Sequence, residues 1–436
     1  MNNSKPMKNL VLKGGRIFDP QVNLDQKADI LIKNGHIQEI GQINNSEKDI
    51  KTIDCTDKVI IPGLMDMHVH FREPGREDKE TIVSGSAAAM AGGFTTVCCM
   101  PNTQPPIDNT GQIEFINERA EGLLVDVHPI GAATKEQKGE QLTEMGDMLR
   151  AGAVAFSDDG VPLKDSGILR RALEYLGMFG KPLIDHCEDL ELSEGGVMNE
   201  GITSTELGMR GIPSISEEIH VARDIMTAKY VKGKLHFAHV STKGSVQLIR
   251  EAKKQGVQIT AETCPHYFVL NDEAVRSFDT NTKMKPPLRT EEDREAILKG
   301  LKDGTIDVIA TDHAPHTVVE KDVEYDAAAF GIVGLETAVG LVVTHLLHQN
   351  VITLQDFVEK MAVNPRRILG LNAIKIETKA SANLSILDLK SAWIVDKTKF
   401  LSQSQNTPFH GWELAGYSFG VYNNGQIFLN KGLDNQ

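Results

Sequence analysis

Short apolar runs alternate with helical patterns through the middle of the chain. Helical periodicity covers, for example, residues 215–229 and 244–255, and eight apolar runs end in polar or ionisable residues. Strands that alternate with helices predict βα units and a parallel sheet. Eight such units over about 300 residues fit an α/β fold of the (β/α)8 TIM-like barrel type, whose functional groups lie at the carboxyl ends of the strands. An open doubly wound sheet is the alternative, but it would need a glycine-rich phosphate-binding fingerprint, which the sequence lacks.

Both ends of the chain show a different pattern, in which short strand-like pieces are separated by turn residues. These pieces cover residues 9–17, 28–33, 36–40, 382–387, 416–422 and 426–429. Runs of this kind, with Asn-Gly pairs between them, are typical of β-hairpins. We therefore predict a small β-sandwich domain built from both termini, residues 1–61 plus 371–436, beside a barrel of residues 62–370.

Charge and cysteine content narrow the class of protein. Lys and Arg number 46 against 60 Asp and Glu, so this 436-residue chain has a net charge of −14. An acidic surface argues against binding to nucleic acid or to an anionic membrane, and an anionic substrate would need a dedicated cation. The five cysteines are scattered without a CxxC pair, the first residues lack a signal peptide's apolar stretch, and no run approaches a membrane span. We expect a soluble protein of the reducing cytoplasm.

The first central run ends in two histidines, His68 and His70. Residues i and i+2 of a strand point to the same face, so the two imidazoles converge on one spot. Neutral imidazole nitrogen suits borderline ions such as zinc. Alone this pair indicates little, because a His-x-His pair is more often a solvated strand end than part of a metal site.

Four later runs also end in residues that can bind a metal. They carry Asp158 or Asp159, His186, His239 and Asp312. Singly, each has an ordinary explanation, such as a buried core histidine or an Asx cap, but their joint occurrence at strand ends favours a metal site. Six ligands are too many for one catalytic zinc and fit two metals that share a carboxylate. Adjacent strand residues face opposite ways, so spacing cannot choose between Asp158 and Asp159. We expect the remaining histidines to be structural or surface residues: His36, His128, His220, His236, His345, His348 and His410.

Longer motifs surround these strand ends. They are residues 66–75 (DMHVHFREPG), 100–103 (MPNT), 155–160 (AFSDDG), 185–188 (DHCE), 239–245 (HVSTKGS), 310–316 (ATDHAPH), 330–331 (FG) and 406–409 (NTPF). In these motifs and their order the chain resembles the dihydroorotases, specifically the bacterial type I group of the amidohydrolase superfamily. The resemblance implies a cyclic amide hydrolase that interconverts dihydroorotate and N-carbamoyl-L-aspartate in de novo pyrimidine (UMP) biosynthesis.

The resemblance also implies two Zn2+ ions per subunit. His68, His70 and Asp312 would bind one ion, and His186 and His239 the other. Asp159 matches the bridging carboxylate, for which many relatives use a carboxylated lysine. Residues 153–160 contain no lysine, so the chain resembles the aspartate-bridged group.

Roles in catalysis follow from the same resemblance. A metal-bridging hydroxide would attack the ring amide, with Asp312 as general base and then general acid. Arg72, Asn102 and His316 would bind the substrate carboxylate; the other expected substrate contacts are His70, Lys285, Phe330 and Gly331. Lys285 departs from the family's usual asparagine before the two prolines, which puts substrate affinity in doubt more than the reaction.

Two further expectations concern mobility and partners. The polar stretch 317–329 has the composition of a lid, and an ordinary loop is the equal alternative. We expect a small-molecule substrate and a homodimer, and a complex with aspartate transcarbamoylase is open.

The competing functions are another cyclic amidohydrolase (hydantoinase- or allantoinase-like) and an inactive dihydroorotase-like scaffold for aspartate transcarbamoylase. The presence of all six ligands speaks against the scaffold.

Overall fold

The structure is a computed structural model that describes residues 4–44 and 50–430. Parts of the predicted terminal domain, at residues 1–3, 45–49 and 431–436, lie outside the described residues. Within the described ranges, no helix is long and apolar enough to cross a bilayer.

The strands fall into three groups along the chain. The first is β1 (Lys5–Pro6), β2 (Leu10–Asp19), β3 (Leu24–Lys33), β4 (His36–Gly41), β5 (Lys51–Asp54) and β6 (Val59–Pro62). The second is β7 (Leu64–Val69), β8 (Phe94–Cys99), β9 (Asp126–Pro129), β10 (Gly131–Ala132), β11 (Phe156–Ser157), β12 (Leu183–Asp185), β13 (Met198–Asn199), β14 (Gly211–Ile212), β15 (Leu235–Phe237), β16 (Ile259–Thr263) and β17 (Val308–Ile309). The third is β18 (Leu384–Ile394), β19 (Glu413–Asn423) and β20 (Gln426–Leu429).

Strands from both ends of the chain join in one sheet, as predicted. Its order is β1-β20-β19-β18-β6-β2-β3-β4, with β5 beside β2. Strand β18 pairs antiparallel with β6, so that Leu384 lies opposite Pro62. Alternate apolar residues, such as Leu10, Leu12 and Ile386, are buried together on one face. The sheet is therefore complete only when residues from the last part of the chain pair with those from the first.

The central strands form parallel sheets. One has the order β7-β8-β9, and another β10-β11-β12-β15-β16-β17. Only Ile130 separates β9 from β10, so this continuous segment pairs with β8 through its first part and with β11 through its second. Val69, at the end of β7, forms a parallel bridge with His313, which follows β17. The pairing thus runs from β7 to the segment after β17 and back to β7.

Most of the α-helices lie in the connections between these strands, and the remaining ones lie between β17 and β18. They are α1 (Ile82–Gly92), α2 (Thr110–Ala120), α3 (Met145–Ala151), α4 (Ser166–Gly177), α5 (Leu190–Ser193), α6 (Ile202–Leu207), α7 (Ile215–Val231), α8 (Lys243–Lys254), α9 (Pro265–Val269), α10 (Glu291–Asp303), α11 (Val318–Lys321), α12 (Ala338–Val342), α13 (Leu354–Val358) and α14 (Asn364–Leu369). The predicted helices 215–229 and 244–255 correspond to α7 and α8. Helix α8 begins where it does because the Thr242 side chain accepts a hydrogen bond from the Ser245 amide, which satisfies a free donor of the first turn.

Two apolar layers flank the parallel strands. Side chains such as Met65, Cys98 and Ile184 fill the space enclosed by the strands. A larger cluster packs the helices against their outer side, for example Phe156 with Leu169 and Leu173 of α4. Both faces of the central strands are buried, which explains why they read as apolar runs rather than as alternating patterns.

Candidate active site

One cavity of about 320 Å3 lies where the central strands end. Its walls contain all the residues that the sequence predicts for the site except His68, which is fully buried and contacts the wall residues Asp159 and Asp312. The lining residues are His70, Arg72, Asn102, Asp159, Gly160, His186, His239, Lys285, Asp312, Ala314, His316, Phe330 and Gly331.

The carboxyl ends of the strands place these side chains. His68 is on β7 and His70 follows it, and the other potential ligands come just after β11, β12, β15 and β17. Parallel strands end at the same edge, so residues 244 positions apart in the sequence, His68 and Asp312, come together (312 − 68 = 244). The backbone at His239 and Asp312 has φ of 31° and 49°. Left-handed backbone at such residues is strained and is held by the surrounding structure, as is common at functional sites.

The first group of potential ligands is His68, His70 and Asp312. Their nitrogen and carboxylate oxygen atoms lie within 4.8 Å of one another. His70 Nε2 is 3.0 Å from Asp312 Oδ1, and His68 Nε2 is 3.6 Å from the same oxygen. All three residues are buried. Three donors at this spacing are compatible with a bound metal.

The second group forms around Asp159. Its Oδ1 lies 3.2 Å from His239 Nε2 and 3.6 Å from His186 Nδ1, while its Oδ2 lies 3.4 Å from both His68 Nε2 and His70 Nε2. His186 Nδ1 and His239 Nε2 face each other at 2.9 Å. One carboxylate thus contacts four imidazoles, which is the arrangement expected of a group shared between two ion sites.

Asp158 points away from this centre, whereas the neighbouring Asp159 faces it. Its side chain accepts hydrogen bonds from the Thr134 amide, at 3.0 Å, and from the Thr134 hydroxyl. Burial raises the pKa of Asp158 to about 6. Of the two adjacent aspartates, only Asp159 lines the cavity.

Glu262 of β16 holds His68 in a ligand-like orientation. Its Oε1 accepts a hydrogen bond from His68 Nδ1 at 2.6 Å, and its Oε2 lies 3.2 Å from His236 Nε2. Nδ1 of His68 therefore carries a proton, and its buried Nε2 has no hydrogen-bond partner among the described residues. A buried ring nitrogen without a hydrogen-bond partner, on a histidine oriented through its other nitrogen by a carboxylate, is typical of a metal ligand.

The carboxylates make this centre favourable for positive charge. Burial disfavours the imidazolium of His68, but Asp159 and Glu262 raise its pKa well above the ordinary value. Burial likewise opposes ionisation of Asp312, but the hydrogen bond with His70 and the nearby His68 hold its pKa below the usual range. A cation bound here would meet ionised carboxylates.

His70 is oriented by Asn102, which follows β8. His70 Nδ1 lies 2.7 Å from Asn102 Oδ1, so that Nδ1–H donates to the amide oxygen. The Asn102 amide nitrogen then points toward Gly160, where an added Cβ would come within 2.9 Å of it. Gly160 has φ of 87°, so glycine here satisfies both the backbone and the close approach.

Arg72 is the cation that the acidic chain would need for an anionic substrate. It lines the cavity two residues after His70, and its Nε donates to the Pro315 carbonyl at 3.3 Å. Burial lowers the pKa of Arg72 to about 10, so the guanidinium remains charged at neutral pH. Its terminal nitrogens can serve a carboxylate as a pair of donors.

His316 is neutral, and both of its ring nitrogens are engaged. Nε2–H donates to the Phe330 carbonyl at 2.7 Å, and Nδ1 lies 3.2 Å from Lys79 Nζ, from which it accepts. Burial, and then Arg72 and Lys79, lower the pKa of His316 to about 3. A substrate that uses His316 must replace one of these partners.

Lys285 turns toward a carboxylate within the cavity. Its Nζ lies 2.9 Å from Glu188 Oε2 and 5.6 Å from the centre of the Phe330 ring. The same Glu188 oxygen is 3.4 Å from His186 Nε2. The lysine at the family's usual asparagine position therefore neutralises the acid beside His186.

The segment 317–331 is tied down by buried lysines. Lys321 Nζ donates to the carbonyls of Thr280 and Ala329, at 2.9 and 2.7 Å, and Lys283 Nζ to those of Tyr325 and Asp326, at 2.9 and 2.8 Å. The segment also contains α11, which the loop composition did not predict. Lid behaviour stays a prediction.

Asn406, in the motif at 406–409, organises the backbone of the site. Its side chain accepts from the His316 amide at 3.1 Å and donates to the carbonyls of Ala314 and Gly331, at 3.0 and 3.1 Å. A motif far along the chain thus supports the cavity without lining it.

Several residues with a role here were not singled out from the sequence. Glu262 and Glu188 orient His68 and His186, and His236, expected to be merely structural, shares Glu262. An acidic residue within the apolar strand at 259–263 is a signal that could have identified Glu262, because buried carboxylates require partners. Glu188 offers a weaker signal, two positions after His186.

A separate buried group of possible ligands lies behind β12. It comprises Asp185, Cys187, His220 and Asp224. Arg223 pairs with two members of this group: its Nη2 lies 2.6 Å from Asp224 Oδ1 and 2.6 Å from His220 Nε2. A guanidinium in this position supplies the positive charge that the two carboxylates need.

The sequence and the fold are similar to those of known proteins. A family model described as dihydro-orotase-like matches residues 57–245. A dihydroorotase from Acetivibrio thermocellus is 51% identical over 424 residues, covering 97% of this chain and 99% of that protein. One from Pelotomaculum thermopropionicum is 52% identical over 421 residues, covering 96% and 98%. Among solved structures, an L-hydantoinase (dihydropyrimidinase) from Arthrobacter aurescens is similar with a TM-score of 0.85 and 25% identity, covering 98% of this chain and 97% of that one.

The mixed α/β fold and a cavity ringed by His and Asp side chains at strand ends define a cyclic amide hydrolase of the amidohydrolase type. Within that class, identities near 50% over almost the whole length decide the family. The chain belongs to the dihydroorotase family.

Proposed function

We propose that the protein is a dihydroorotase that catalyses the reversible cyclisation of N-carbamoyl-L-aspartate to (S)-dihydroorotate in pyrimidine (UMP) biosynthesis. The observation that carries the proposal is the meeting of six potential metal ligands with Arg72 and Asn102 around one cavity. The cavity of about 320 Å3 suits a small ring with one carboxylate. The ring-opened form needs no larger site, because it differs from the ring by one water.

We assign the chain to the bacterial type I group on its motifs and on Asp159, an aspartate that would take the bridging position. The ring of parallel pairings supports a (β/α)8 barrel of residues 62–370, with a β-sandwich domain from residues 1–61 and 371–436. A homodimer in the cytoplasm is part of the proposal, and association with aspartate transcarbamoylase is left open.

The ligand set fits two divalent ions with a preference for imidazole and carboxylate, and zinc is our choice. His68, His70 and Asp312 would hold one ion, His186 and His239 the other, and Asp159 would bridge them. When bound, such ions supply an activated water and polarise the amide carbonyl. The buried His68 Nε2, which has no hydrogen-bond partner among the described residues, supports this assignment.

The chain's own residues bind the substrate and move the proton. Arg72 would take the substrate carboxylate through paired donors, and the Asn102 amide nitrogen would add a third. Asp312 has a depressed pKa and lines the cavity, so it is ionised and can accept a proton from the attacking water. It would then deliver that proton to the leaving ring nitrogen. Ring closure runs these steps in reverse and consumes a proton, because a carboxylate is lost, so acid favours closure.

The test is Asp312→Asn, assayed for dihydroorotate hydrolysis and carbamoyl-aspartate cyclisation together with metal content. We expect metal to be largely retained and turnover to fall by a factor of about 10² or more, since the amide cannot take the proton. Undiminished turnover would remove Asp312 from this role.

Two aspartates that are neighbours in sequence give a matched pair for the bridge. Asp159→Asn should lose most of the bound metal, while Asp158→Asn, whose side chain faces Thr134, should keep it. Equal metal loss in both variants would contradict the assignment of Asp159. Parallel assays with hydantoin and allantoin address the rival reactions: turnover of either in place of dihydroorotate would refute the proposed substrate.

A further inference from the structure

The backbone at Arg72, a wall residue of the cavity, has a strained conformation. Its φ is 58°, and across it the Glu73 amide donates to the Phe71 carbonyl at 2.6 Å. A three-residue turn closed in this way, with positive φ at its centre, is the rare and strained form of the γ-turn. Left-handed backbone suits glycine, whereas an arginine adopts it at a cost in free energy. The surrounding structure must therefore hold this turn.

Glu73, the last residue of the turn, has a buried side chain with both oxygens engaged. The residue is 3% exposed. Its Oε2 accepts a hydrogen bond from the Ile82 amide at 2.8 Å, and its Oε1 accepts one from Arg119 Nε at 2.8 Å and lies 2.7 Å from Arg119 Nη2. Ile82 is the first residue of α1, and Arg119 lies in the last turn of α2. One carboxylate thus joins the turn to two helices.

The contact with α1 suits both the turn and the helix. The first amides of a helix have no partner within it, and the helix dipole favours a carboxylate at this end. Phe71, at the other end of the turn, packs on the same helix, since a Cβ on Gly85 would come within 2.4 Å of its ring. Both ends of the turn therefore rest on α1, and Arg119 holds the carboxylate from the solvent side.

The geometry gives Arg119 more influence than an ordinary surface arginine has. Its side chain is 50% exposed, and exposed ion pairs generally contribute little. This pair differs because two guanidinium nitrogens contact one oxygen of a carboxylate that is itself buried. Without Arg119 that oxygen would lose these contacts and turn toward water, since an unpaired buried charge is unfavourable. The turn would then be released on the side of Glu73.

We propose that Glu73 and Arg119 are positioning residues for Arg72: their ion pair holds the strained turn and thereby directs the guanidinium into the cavity. Relaxation of φ at residue 72 to a negative value would turn the Cα–Cβ bond, and with it the guanidinium, away from the Pro315 carbonyl and from the cavity. Arg119 does not line the cavity, so it acts through Arg72. The inference rests on the proposed function, because the ligand concerned is the substrate carboxylate that Arg72 would bind.

This role predicts an effect on substrate binding rather than on the chemical step. The substrate carboxylate is unchanged during ring opening, so its contact with Arg72 is equally strong in the ground state and the transition state. Loss of such an interaction raises KM and leaves kcat nearly unchanged. Loss of a metal ligand or of the proton acceptor would instead lower kcat.

The test compares Arg119→Met with the native protein in steady-state hydrolysis of dihydroorotate, together with metal content and melting temperature. We expect KM to rise roughly 10-fold, the factor for loss of one hydrogen bond between charged groups. We expect kcat to stay within about twofold and metal content to be unchanged. Arg119→Lys, which keeps the charge and a donor, should recover part of the loss in KM.

A matched control is available in α3. Arg150 also lies in the last turn of its helix and pairs with a carboxylate, that of Asp147. Arg150→Met therefore removes a comparable surface ion pair that has no contact with the turn, and it should keep the native KM.

A second measurement asks whether Arg119 acts through Arg72. In Arg72→Lys, which by itself weakens carboxylate binding, the addition of Arg119→Met should raise KM little further, because the turn no longer presents a guanidinium. An equal rise in both backgrounds would show a general structural role and overturn the proposal. An unchanged KM in Arg119→Met, or a loss of kcat or metal without a rise in KM, would overturn it too.

The outcomes separate this inference from the proposed function. A native protein that does not convert dihydroorotate would refute the function and, with it, this inference. A native protein that does convert it, with a KM insensitive to Arg119, would refute the positioning role alone. If Arg119→Met fails to fold, Glu73→Gln gives the decision: its carbonyl oxygen still accepts from the Ile82 amide, the ion pair is lost, and the same rise in KM is expected.

Discussion

His316 is buried without a charge, because burial and three neighbouring cations disfavour its protonation. Arg72, Lys79 and Lys321 all lower its pKa, after the larger effect of burial. A neutral imidazole keeps Nδ1 as an acceptor for Lys79, so the pair Lys79–His316 is a hydrogen bond rather than a repulsion. Protonation of Nδ1 would replace this hydrogen bond with a repulsion between two cations, whereas Nε2–H would still donate to the Phe330 carbonyl.

This arrangement predicts a loss of stability in acid. Between about pH 3 and 6.5 the unfolded chain binds a proton at this histidine and the folded chain does not, so stability falls as pH drops through 6.5. From pH 6.5 to 5 the difference amounts to at most about 2 kcal/mol. In His316→Gln, which keeps a donor for the Phe330 carbonyl, urea denaturation between pH 5 and 7 should show a flatter dependence of the free energy of unfolding. An unchanged slope would contradict the assignment.

At the scale of elements, the segment 317–331 is held in place because its backbone carbonyl groups accept hydrogen bonds from buried lysines. Burial, followed by Lys283, lowers the pKa of Lys321 to about 7, and its amine still donates to carbonyls from two parts of the chain. Bonds of this kind contribute about 1–3 kcal/mol when their loss leaves a buried group unpaired.

Lys321→Met should therefore loosen the segment while the strands stay intact. We expect amide hydrogen exchange across residues 317–331 to accelerate by roughly 10-fold or more, in line with that energy, with little change in β7 or β16. Mass spectrometry of the exchanged peptides measures this. Lys302→Met, at an exposed position of α10, is the control and should leave exchange in the segment unchanged.

The helices and strands were the part of the molecule most readily predicted from the sequence. Strand 426–429 has the predicted bounds, and helix 215–229 is extended by two residues, because period and capping residues are local signals. The potential ligands were predictable for the same reason, since each ends an apolar run. Contacts between residues far apart in the sequence were not predictable. No local pattern relates Glu262 to His68, and none shows that Asp158 faces Thr134 while Asp159 faces the cavity. Those relations depend on how the strands are ordered in space.

At the scale of the whole molecule, the proposed metal centre would act as a clasp that links strands distant in the sequence. Its potential ligands lie on or after β7, β11, β12, β15 and β17, and ions bound only in the folded state stabilise it by about 4 kcal/mol at a thousandfold excess over the dissociation constant. Removing metal with a chelator should lower the melting temperature by roughly 5–10 °C, and added Zn2+ should restore it. Calorimetry with metal analysis checks this; a metal-depleted protein that melts at the same temperature would contradict a clasp.

The order of strands in the terminal sheet has a consequence for how the protein is made. Strand β6 leads through the single residue Gly63 into β7, and its antiparallel neighbour is β18, which starts more than 300 residues later in the chain. A ribosome that has delivered His68 and His70 has yet to synthesise the antiparallel neighbour of the strand that leads into β7. Newly made chains must therefore wait, with β6 unprotected on one edge, until β18 has been synthesised, and truncation before β18 should prevent maturation of this enzyme.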